Sequence, residues 1–447
     1  MKVSKYNKFF DSNEGTTLAY NCLTGGLATL SPEKYRLVKE ILVSLTFDTK
    51  EKKDLQDSLL KGGFLIEDDV NELDILKVRN RIARFDKSSF SLTILPTLNC
   101  NFQCTYCYEA RKNITMNRKI QEALIEYVGK KTKEAESFTP SWYGGEPLLV
   151  FDTIVYLHKE FAKICKANDC HYNPGGIITN GYLMTKEIVR ELKEMNIASV
   201  QVTLDGPKDI HDRRRKLNNG NGTFDTIMQN LCEAADILKG IAIRVNVDST
   251  NADRAGGVLD AIEEYGLKGK VGIYFAQVRA FTEACADISS SCLMDQEYAS
   301  IEIKLMKQCL DRGFNITRYP RVRFSYCVAD HINSFVVDPT GYLYKCWSNP
   351  GMIDEAVGHI SNPDEDKVKG RNLFKWLSWD VFERKDCRQC EVLPICMGGC
   401  PYLGLKLKAE GRGVCENCRY NLLDMLKLYY MNHCRTLQKA GKHVEGK

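Results

Sequence analysis

Cys100, Cys104 and Cys107 form a C-x3-C-x2-C triad directly after the apolar run 91–96, and Tyr106 sits just before the last cysteine. Three thiolates on one loop can hold three irons of a [4Fe–4S] cube and leave the fourth iron without a protein ligand. An open iron of that kind can chelate the amino and carboxylate groups of S-adenosylmethionine and cleave it reductively, which is radical chemistry. Two other readings stand beside this one. The thiols could be buried and free, or they could belong to a zinc site, although zinc takes four ligands in paired clusters.

A second group of residues could receive such a small molecule. Gly144-Gly145-Glu146-Pro147 offers a backbone that a ligand can approach closely, with carbonyls and a carboxylate to accept hydrogen bonds from an ammonium. Thr179-Asn180-Gly181 offers polar side chains to a ribose. Thr203-Leu204-Asp205-Gly206 is followed by His211-Asp212 and the run Arg213-Arg214-Arg215, where an arginine could clamp an anion. The plain alternatives are strand-ending turns and a solvated charge run, with His211 holding a loop.

The third group is a four-cysteine array, Cys387, Cys390, Cys396 and Cys400, spaced C-x2-C-x5-C-x3-C. Cys327 and the pattern Gly341-x4-Cys346 lie upstream; Cys415 and Cys418 lie downstream. Iron–sulfur ligation and a zinc ribbon both use C-x2-C pairs. A zinc reading leaves the first triad and the Gly-Gly-Glu-Pro turn unconnected.

Candidate strands at 91–96, 139–143, 175–179, 198–204, 241–247 and 271–277 alternate with amphipathic stretches such as 116–130, 185–195 and 224–238. Six strand–helix repeats predict an α/β domain with a parallel sheet and right-handed crossovers, either doubly wound or curled into a partial barrel. In both, chemistry gathers at the carboxyl ends of the strands. The triad, the glycine turn and the Thr-Asn-Gly and Thr-Leu-Asp-Gly segments each follow one of the first four strands.

Residues 1–88 read as a separate winged-helix-like module or an ordinary N-terminal extension. Short strands are expected at 17–20 and 26–30, and Ser31-Pro32 opens a helix. A charged helix near 49–60 and a break at Gly62-Gly63 precede a strand at 64–66. A helix is expected at 422–430 and a polar tail at 441–447.

The chain has 447 residues, enough for two or three domains. Its 62 basic and 58 acidic residues give a net charge of +4, which does not argue for nucleic acid. Residues 1–10 contain no apolar signal-peptide core, and no run reaches the length of a membrane span, so a cytoplasmic protein is expected. Nineteen cysteines in a reducing compartment point to metal or iron–sulfur ligation rather than disulfides.

Together these residues resemble the radical S-adenosylmethionine superfamily, in the branch with a SPASM domain carrying auxiliary [4Fe–4S] clusters. The likeness runs from about residue 89 to 424. It implies a partial (β/α)6 barrel over 89–310, a SPASM domain over 311–424, and a helix and tail over 425–447. It implies three [4Fe–4S] clusters and S-adenosylmethionine. Cys100, Cys104 and Cys107 would hold the reducing cluster, with Tyr106 near adenine and Gly144, Gly145 and Glu146 at the amino group. Asn180 would approach the ribose, and Thr203 with Arg215 the carboxylate, Arg214 being the alternate. Auxiliary cluster II would take Cys387, Cys390, Cys396 and Cys415, with Cys418 as alternate. Auxiliary cluster I would take Cys327, Cys346 and Cys400. No cysteine lies between Val328 and Lys345 to complete it, so its fourth iron is either open or closed by Cys418, Cys285 or Cys292.

The first 88 residues resemble leader-recognition modules of enzymes that modify ribosomally made peptides, which bind a peptide as an added strand. The combination implies a thioether-forming maturase of the sactipeptide or six-cysteine-peptide type. Its partners would be a cysteine-rich precursor peptide with a leader and a small reducing protein such as flavodoxin or ferredoxin, with no nucleic acid and no membrane. Two alternatives remain: the same architecture making carbon–carbon crosslinks or oxidising a protein Cys or Ser, and a non-catalytic iron–sulfur or zinc-binding module. No catalytic acid or base is assigned.

Overall fold

The computed structural model of the chain describes residues 1–12, 15–109, 111–316, 319–362, 367–408, 415–416 and 418–439. The expected polar tail at 441–447 lies outside them. The chain divides into two compact units. Unit 1 comprises Met1–Arg84, Arg318–Tyr326 and Asp380–Lys447; unit 2 comprises Phe85–Thr317 and Cys327–Trp379. The segment 311–424 is thus shared between them.

Unit 1 begins with strands β1 (Lys2–Val3), β2 (Asn7–Asp11), β3 (Thr17–Asn21) and β4 (Leu27–Leu30), then helices α1 (Pro32–Ser44) and α2 (Lys50–Gly62). Strand β5 (Leu65–Ile66) and helix α3 (Glu72–Phe85) follow. Ser31 caps α1 by accepting from the Lys34 N–H at 3.2 Å, and Thr49 does the same for α2 from Lys52. β2, β3 and β4 form an antiparallel sheet with β3 in the middle, and β1 pairs with β5.

Side chains alternate across β3, so it feeds two cores. Ala19 packs with Val38, Ile41, Leu59 and Phe64 of the helical side. Leu18 and Tyr20 face the other way, into a core with Tyr6, Phe10, Cys22 and the distant residues Cys387, Val392, Leu393, Ile395, Leu422 and Leu426.

Unit 2 carries strands β6 (Ser89–Ile94), β7 (Phe102–Cys104), β8 (Ser137–Trp142), β9 (His171–Tyr172), β10 (Gly176–Thr179), β11 (Ser199–Thr203), β12 (Arg215–Leu217), β13 (Ile241–Val247) and β14 (Gly272–Gln277). Its helices are α4 (Arg118–Lys131), α5 (Phe151–Ala167), α6 (Lys186–Glu194), α7 (Lys208–Arg214), α8 (Phe224–Ala235), α9 (Val258–Glu264) and α10 (Asp295–Asp311). β6, β8, β10, β11, β13 and β14 are all parallel and pair in chain order. A doubly wound sheet reverses its strand order at a switch point; these six strands do not. Winding in one sense leaves the helices on one face and the other face as the inside of an open, partial barrel.

Strands β15 (Ser334–Val337), β16 (Tyr342–Tyr344) and β17 (Gly358–His359) extend the sheet beyond β6. Alternation divides the two faces. Val200 and Val202 of β11 and Ile243, Val245 and Val247 of β13 are buried. Their neighbours Gln201, Thr203, Arg244 and Asn246 line the barrel's cavity. Helix α8 buries Phe224, Ile227, Met228, Leu231 and Ala234, the spacing of one helical face. Among the described residues no helix is long and apolar enough to cross a membrane.

Candidate active site and cysteine array

One cavity of unit 2 is lined by Cys100, Cys104, Cys107, Tyr106, Gly144, Gly145, Thr179, Asn180, Thr203 and Arg215, among others. These come from the loop after β6, the turn after β8, the ends of β10 and β11, and the start of β12; all but the last lie as expected for the carboxyl edge of a parallel sheet. The cysteine loop is tied down on both sides. On one side β7 pairs with β12, setting Cys104 opposite Arg215, and Thr105 donates to the Arg214 carbonyl at 3.0 Å. Asn218 donates to the Cys100 carbonyl at 2.9 Å.

On the other side lie the two glycines. The Gly145 N–H bonds the Thr97 carbonyl at 3.2 Å and the Glu146 N–H bonds that of Asn99 at 2.8 Å. A Cβ on Gly145 would stand 2.2 Å from the Asn99 carbonyl oxygen, and one on Gly144 would stand 2.5 Å from that of Thr97. Only glycine lets these two strand ends come so close.

Glu146 is fully buried and does not line the cavity. Its carboxylate accepts from Leu148 N at 3.0 Å, Thr179 Oγ1 at 2.7 Å and Asn180 N at 2.7 Å. It therefore fastens the end of β8 to that of β10, while the glycine backbone faces the cavity. Burial pushes the Glu146 carboxyl up, and these hydrogen bonds oppose the shift. Asn180 lines the cavity and donates to Asn101 Oδ1 at 2.7 Å, a second tie to the cysteine loop.

The three arginines have three separate fates. Arg213 is exposed and pairs with Asp209. Arg214 is buried and held by Asp205 at 3.2 Å and Asp248 at 2.8 Å. Arg215 lines the cavity and donates to the Tyr106 hydroxyl at 2.9 Å; among the described residues its buried Nε has no hydrogen-bond partner. A guanidinium with an orphaned N–H in a cavity fits an anion. His211 is fully buried between the Asp205 N–H and Thr223 Oγ1, and burial lowers its pKa, so it holds the loop as a neutral ring.

Some lining residues carried no signal in the sequence. Asn246 donates to the Tyr106 hydroxyl at 3.1 Å, and Arg244 donates to Asn246 at 2.7 Å. Both lie mid-strand, marked only by being polar in an apolar run. Tyr108, Tyr143, Phe281 and Trp347 form an aromatic side of the cavity, with the Tyr143 and Trp347 rings 5.1 Å apart. Glu109 also lines it, and burial pushes its carboxyl up to about 7, the Glu146 carboxylate adding to the shift and the Tyr143 hydroxyl opposing it.

The donor set fits iron–sulfur ligation. Burial pushes the Cys100 and Cys107 thiols up to about 12, and a bound metal would favour their thiolate form. Cys100 Sγ accepts from the N–H two residues on, at 3.4 Å, as do Cys327 at 3.5 Å and Cys346 at 3.4 Å. Cys107 and Cys390 have the same local bond, from Glu109 and Val392. An N–H aimed at sulfur stabilises a thiolate and tunes a cluster. Among the described residues no three His, Cys, Asp or Glu side chains close on a single metal ion. The corners of a four-iron cube lie farther apart than the ligands of one ion.

In unit 1, helix α11 (Lys385–Gln389) carries Cys387, and the residue that follows it, Cys390, into the core shared with β3; Cys396 is buried at the end of helix α12 (Leu393–Cys396). Arg419 donates to Cys415 Sγ at 3.0 Å, and Cys415, Cys390 and Arg419 influence one another electrostatically. Cys327 and Cys346 belong to unit 2 and Cys400 to unit 1. The side chain of Cys418 lies outside the described residues. Cys285 is buried beside Thr282 in unit 2, and Cys292 is half-buried.

The fold and cavity define a class. Residues 94–267 match the Radical SAM superfamily, so this chain carries a radical SAM domain, with the S-adenosylmethionine and [4Fe–4S] cluster which that family implies. It is similar to a cysteine-type anaerobic sulfatase-maturating enzyme of Clostridium novyi, 28% identical over 70% of this chain and 88% of the relative. It is also similar to the radical SAM cyclopropyl synthase TigE of Paramaledivibacter caminithermalis, 21% identical over 93% of each chain. Its fold resembles that of Streptococcus suis SuiB bound to the precursor peptide SuiA, with a TM-score of 0.53 and 14% identity over 91% of this chain and 96% of that one.

Proposed function

We propose that this protein is a radical SAM peptide maturase that joins a cysteine sulfur to a carbon of another residue in a ribosomally made, cysteine-rich precursor peptide. The observation that carries this reading is the single cavity that gathers the cysteine triad, Tyr106, the two glycines, Asn180, Thr203 and Arg215 at one edge of the barrel. When bound, the cluster and S-adenosylmethionine supply a 5′-deoxyadenosyl radical that removes a hydrogen atom from a substrate carbon.

The chain's own residues bind and orient. Cys100, Cys104 and Cys107 would hold the iron, and the glycine backbone would accept from the cofactor's ammonium. Arg215, with Thr203 beside it, would take the carboxylate. Asn180 would meet the ribose and Tyr106 the adenine. The aromatic side, Tyr108, Tyr143, Phe281 and Trp347, would receive the peptide and keep water from the carbon radical. Forming the thioether removes two hydrogens from the peptide: one as an atom, the other as a proton and an electron. Cys387, Cys390, Cys396 and Cys415 would hold one auxiliary cluster, and Cys327, Cys346 and Cys400 another, as electron acceptors. A small reducing protein such as flavodoxin or ferredoxin would supply the electron that starts the reaction. β2 and β4, the outer strands of the N-terminal sheet, offer edges to which a leader peptide could add as a further strand.

Two relatives favour the second reading, in which the same architecture makes carbon–carbon bonds or oxidises a protein Cys or Ser: one is named a sulfatase-maturating enzyme and one a cyclopropyl synthase. Anaerobic incubation with reductant, S-adenosylmethionine and a cysteine-rich peptide encoded beside this gene separates the two. A thioether predicts 5′-deoxyadenosine, loss of two hydrogens, and a cysteine that resists alkylation. A two-hydrogen loss that leaves every thiol alkylatable, or a thiol replaced by an aldehyde with release of sulfide, would instead support the second reading.

A further inference from the structure

Tyr6 lies in the loop between β1 and β2 and is 0% exposed. Its backbone is fixed: its N–H donates to Ser4 Oγ at 3.2 Å, and its carbonyl accepts from the Cys22 N–H at 3.0 Å. Its ring is covered by the Lys5 ammonium at 4.7 Å. Yet among the described residues its hydroxyl has no hydrogen-bond partner. An unpaired buried hydroxyl is costly, and native cores rarely retain one.

The surroundings narrow down what the missing partner is. Tyr6 shares its core with Cys387, Cys390 and Cys22, all in unit 1. Glu72 is tied to the same loop, engaged by the Ser4 hydroxyl and the Lys5 N–H, and Cys22 and Cys390 lie in the same core. Cys22 is a fully buried thiol, and a thiol sulfur is a weak acceptor. What remains is the side of the core that holds Cys390.

The geometry points to a hydrogen bond from the Tyr6 hydroxyl to a sulfur of the iron–sulfur group held by Cys387, Cys390, Cys396 and Cys415, which makes that group easier to reduce. This rests on reading the array as a [4Fe–4S] site. Bare thiols offer Tyr6 no adequate acceptor, whereas a cluster adds bridging sulfides and thiolates at that place. A donor beside these sulfurs stabilises the extra negative charge of the reduced state and raises the potential. Tyr6 is thus a positioning and tuning residue, contributed to the array by the N-terminal module.

The test is a redox titration of the holoenzyme followed by electron paramagnetic resonance. The array's signal is identified as the one removed by the paired substitutions Cys387→Ala and Cys390→Ala. Tyr6→Phe keeps the ring and deletes the donor; it should lower that signal's midpoint potential at unchanged iron content. Tyr6→3-fluorotyrosine keeps the shape and strengthens the donor; it should raise the potential, which guards against a Tyr6→Phe protein that folds poorly. An unchanged potential in the fluorotyrosine protein overturns the proposal while leaving the array's cluster standing. If no signal is removed by the cysteine pair, the cluster reading itself falls and the proposal with it.

Discussion

Arg215 and Cys104 are cross-strand partners in the β7–β12 ribbon. One short ribbon therefore sets both a proposed iron ligand and the guanidinium proposed to hold the cofactor's carboxylate. Arg215→Gln should weaken S-adenosylmethionine binding by roughly 10- to 100-fold, the loss expected for a hydrogen bond to a charged group. Equilibrium binding under anaerobic conditions reads this, and an unchanged affinity would assign the carboxylate to another residue.

Its neighbour should behave differently. Arg214 is buried between Asp205 and Asp248, so Arg214→Gln removes the guanidinium that pairs with both buried carboxylates. The expected effect is a loss of about 3–5 kcal/mol of stability. Chemical denaturation of the two variants, compared with their cofactor affinities, should show the two arginines trading places. Equal destabilisation by both substitutions would contradict that division of roles.

Gly145→Ala places a methyl group against the Asn99 backbone, where nothing flexible can yield. About 1–3 kcal/mol of strain is expected. The visible result should be iron lost from the triad with iron in the array retained, and at least a tenfold fall in 5′-deoxyadenosine formation. Full iron occupancy and normal turnover in this variant would show that the loop tolerates separation from the glycine turn.

His211 predicts a pH dependence. Its pKa is lowered in the folded state, so below about 6.5 the unfolded chain takes up a proton that the folded chain refuses. Its contribution to stability is therefore present above that pH and is lost as pH falls, by about 1.4 kcal/mol per pH unit. Thermal unfolding between pH 7.5 and 5.5 should be less acid-sensitive in His211→Asn than in the parent protein. Both proteins carry the same other titrating groups, so parallel curves would exclude His211 as the source.

Leu18 tests the shared core of unit 1. It is fully buried on the face of β3 that meets the cysteine array. Leu18→Ala should cost about 2–5 kcal/mol. It should also lower iron retention at Cys387, Cys390 and Cys396 before any loss from the triad. Simple removal of residues 1–88 would be a poor test of leader binding for the same reason, since it takes away one wall of the array. Iron loss confined to the triad would refute the shared-core account.

Much of the barrel was legible because short segments rich in β-branched residues alternate with stretches of helical period; the expected 241–247 coincides with β13. The cysteine loop and the glycine turn were legible because their spacing is local. The β7–β12 ribbon was not. It joins segments more than a hundred residues apart with three residues each, too few for a pattern. The separate fates of Arg213, Arg214 and Arg215 were equally hidden, since each depends on carboxylates brought in by other strands. The pairing of β3 with a helix-borne cysteine array left no trace in either segment, because a face of Leu18 and Tyr20 specifies only that something apolar covers it.

Unit 1 is assembled from three stretches of chain, and the last begins at Asp380, roughly 300 residues after the first ends at Arg84. During synthesis the N-terminal strands must wait, with Tyr6, Phe10, Leu18 and Tyr20 uncovered, for about 15–60 s at ordinary ribosomal speed. The barrel can fold around its first cysteines while the nascent chain is still growing. The array cannot receive iron until the final segment has left the ribosome and closed over the first. On the proposed ligand sets, maturation would be ordered in time, with the triad's cluster assembled early and the array's last.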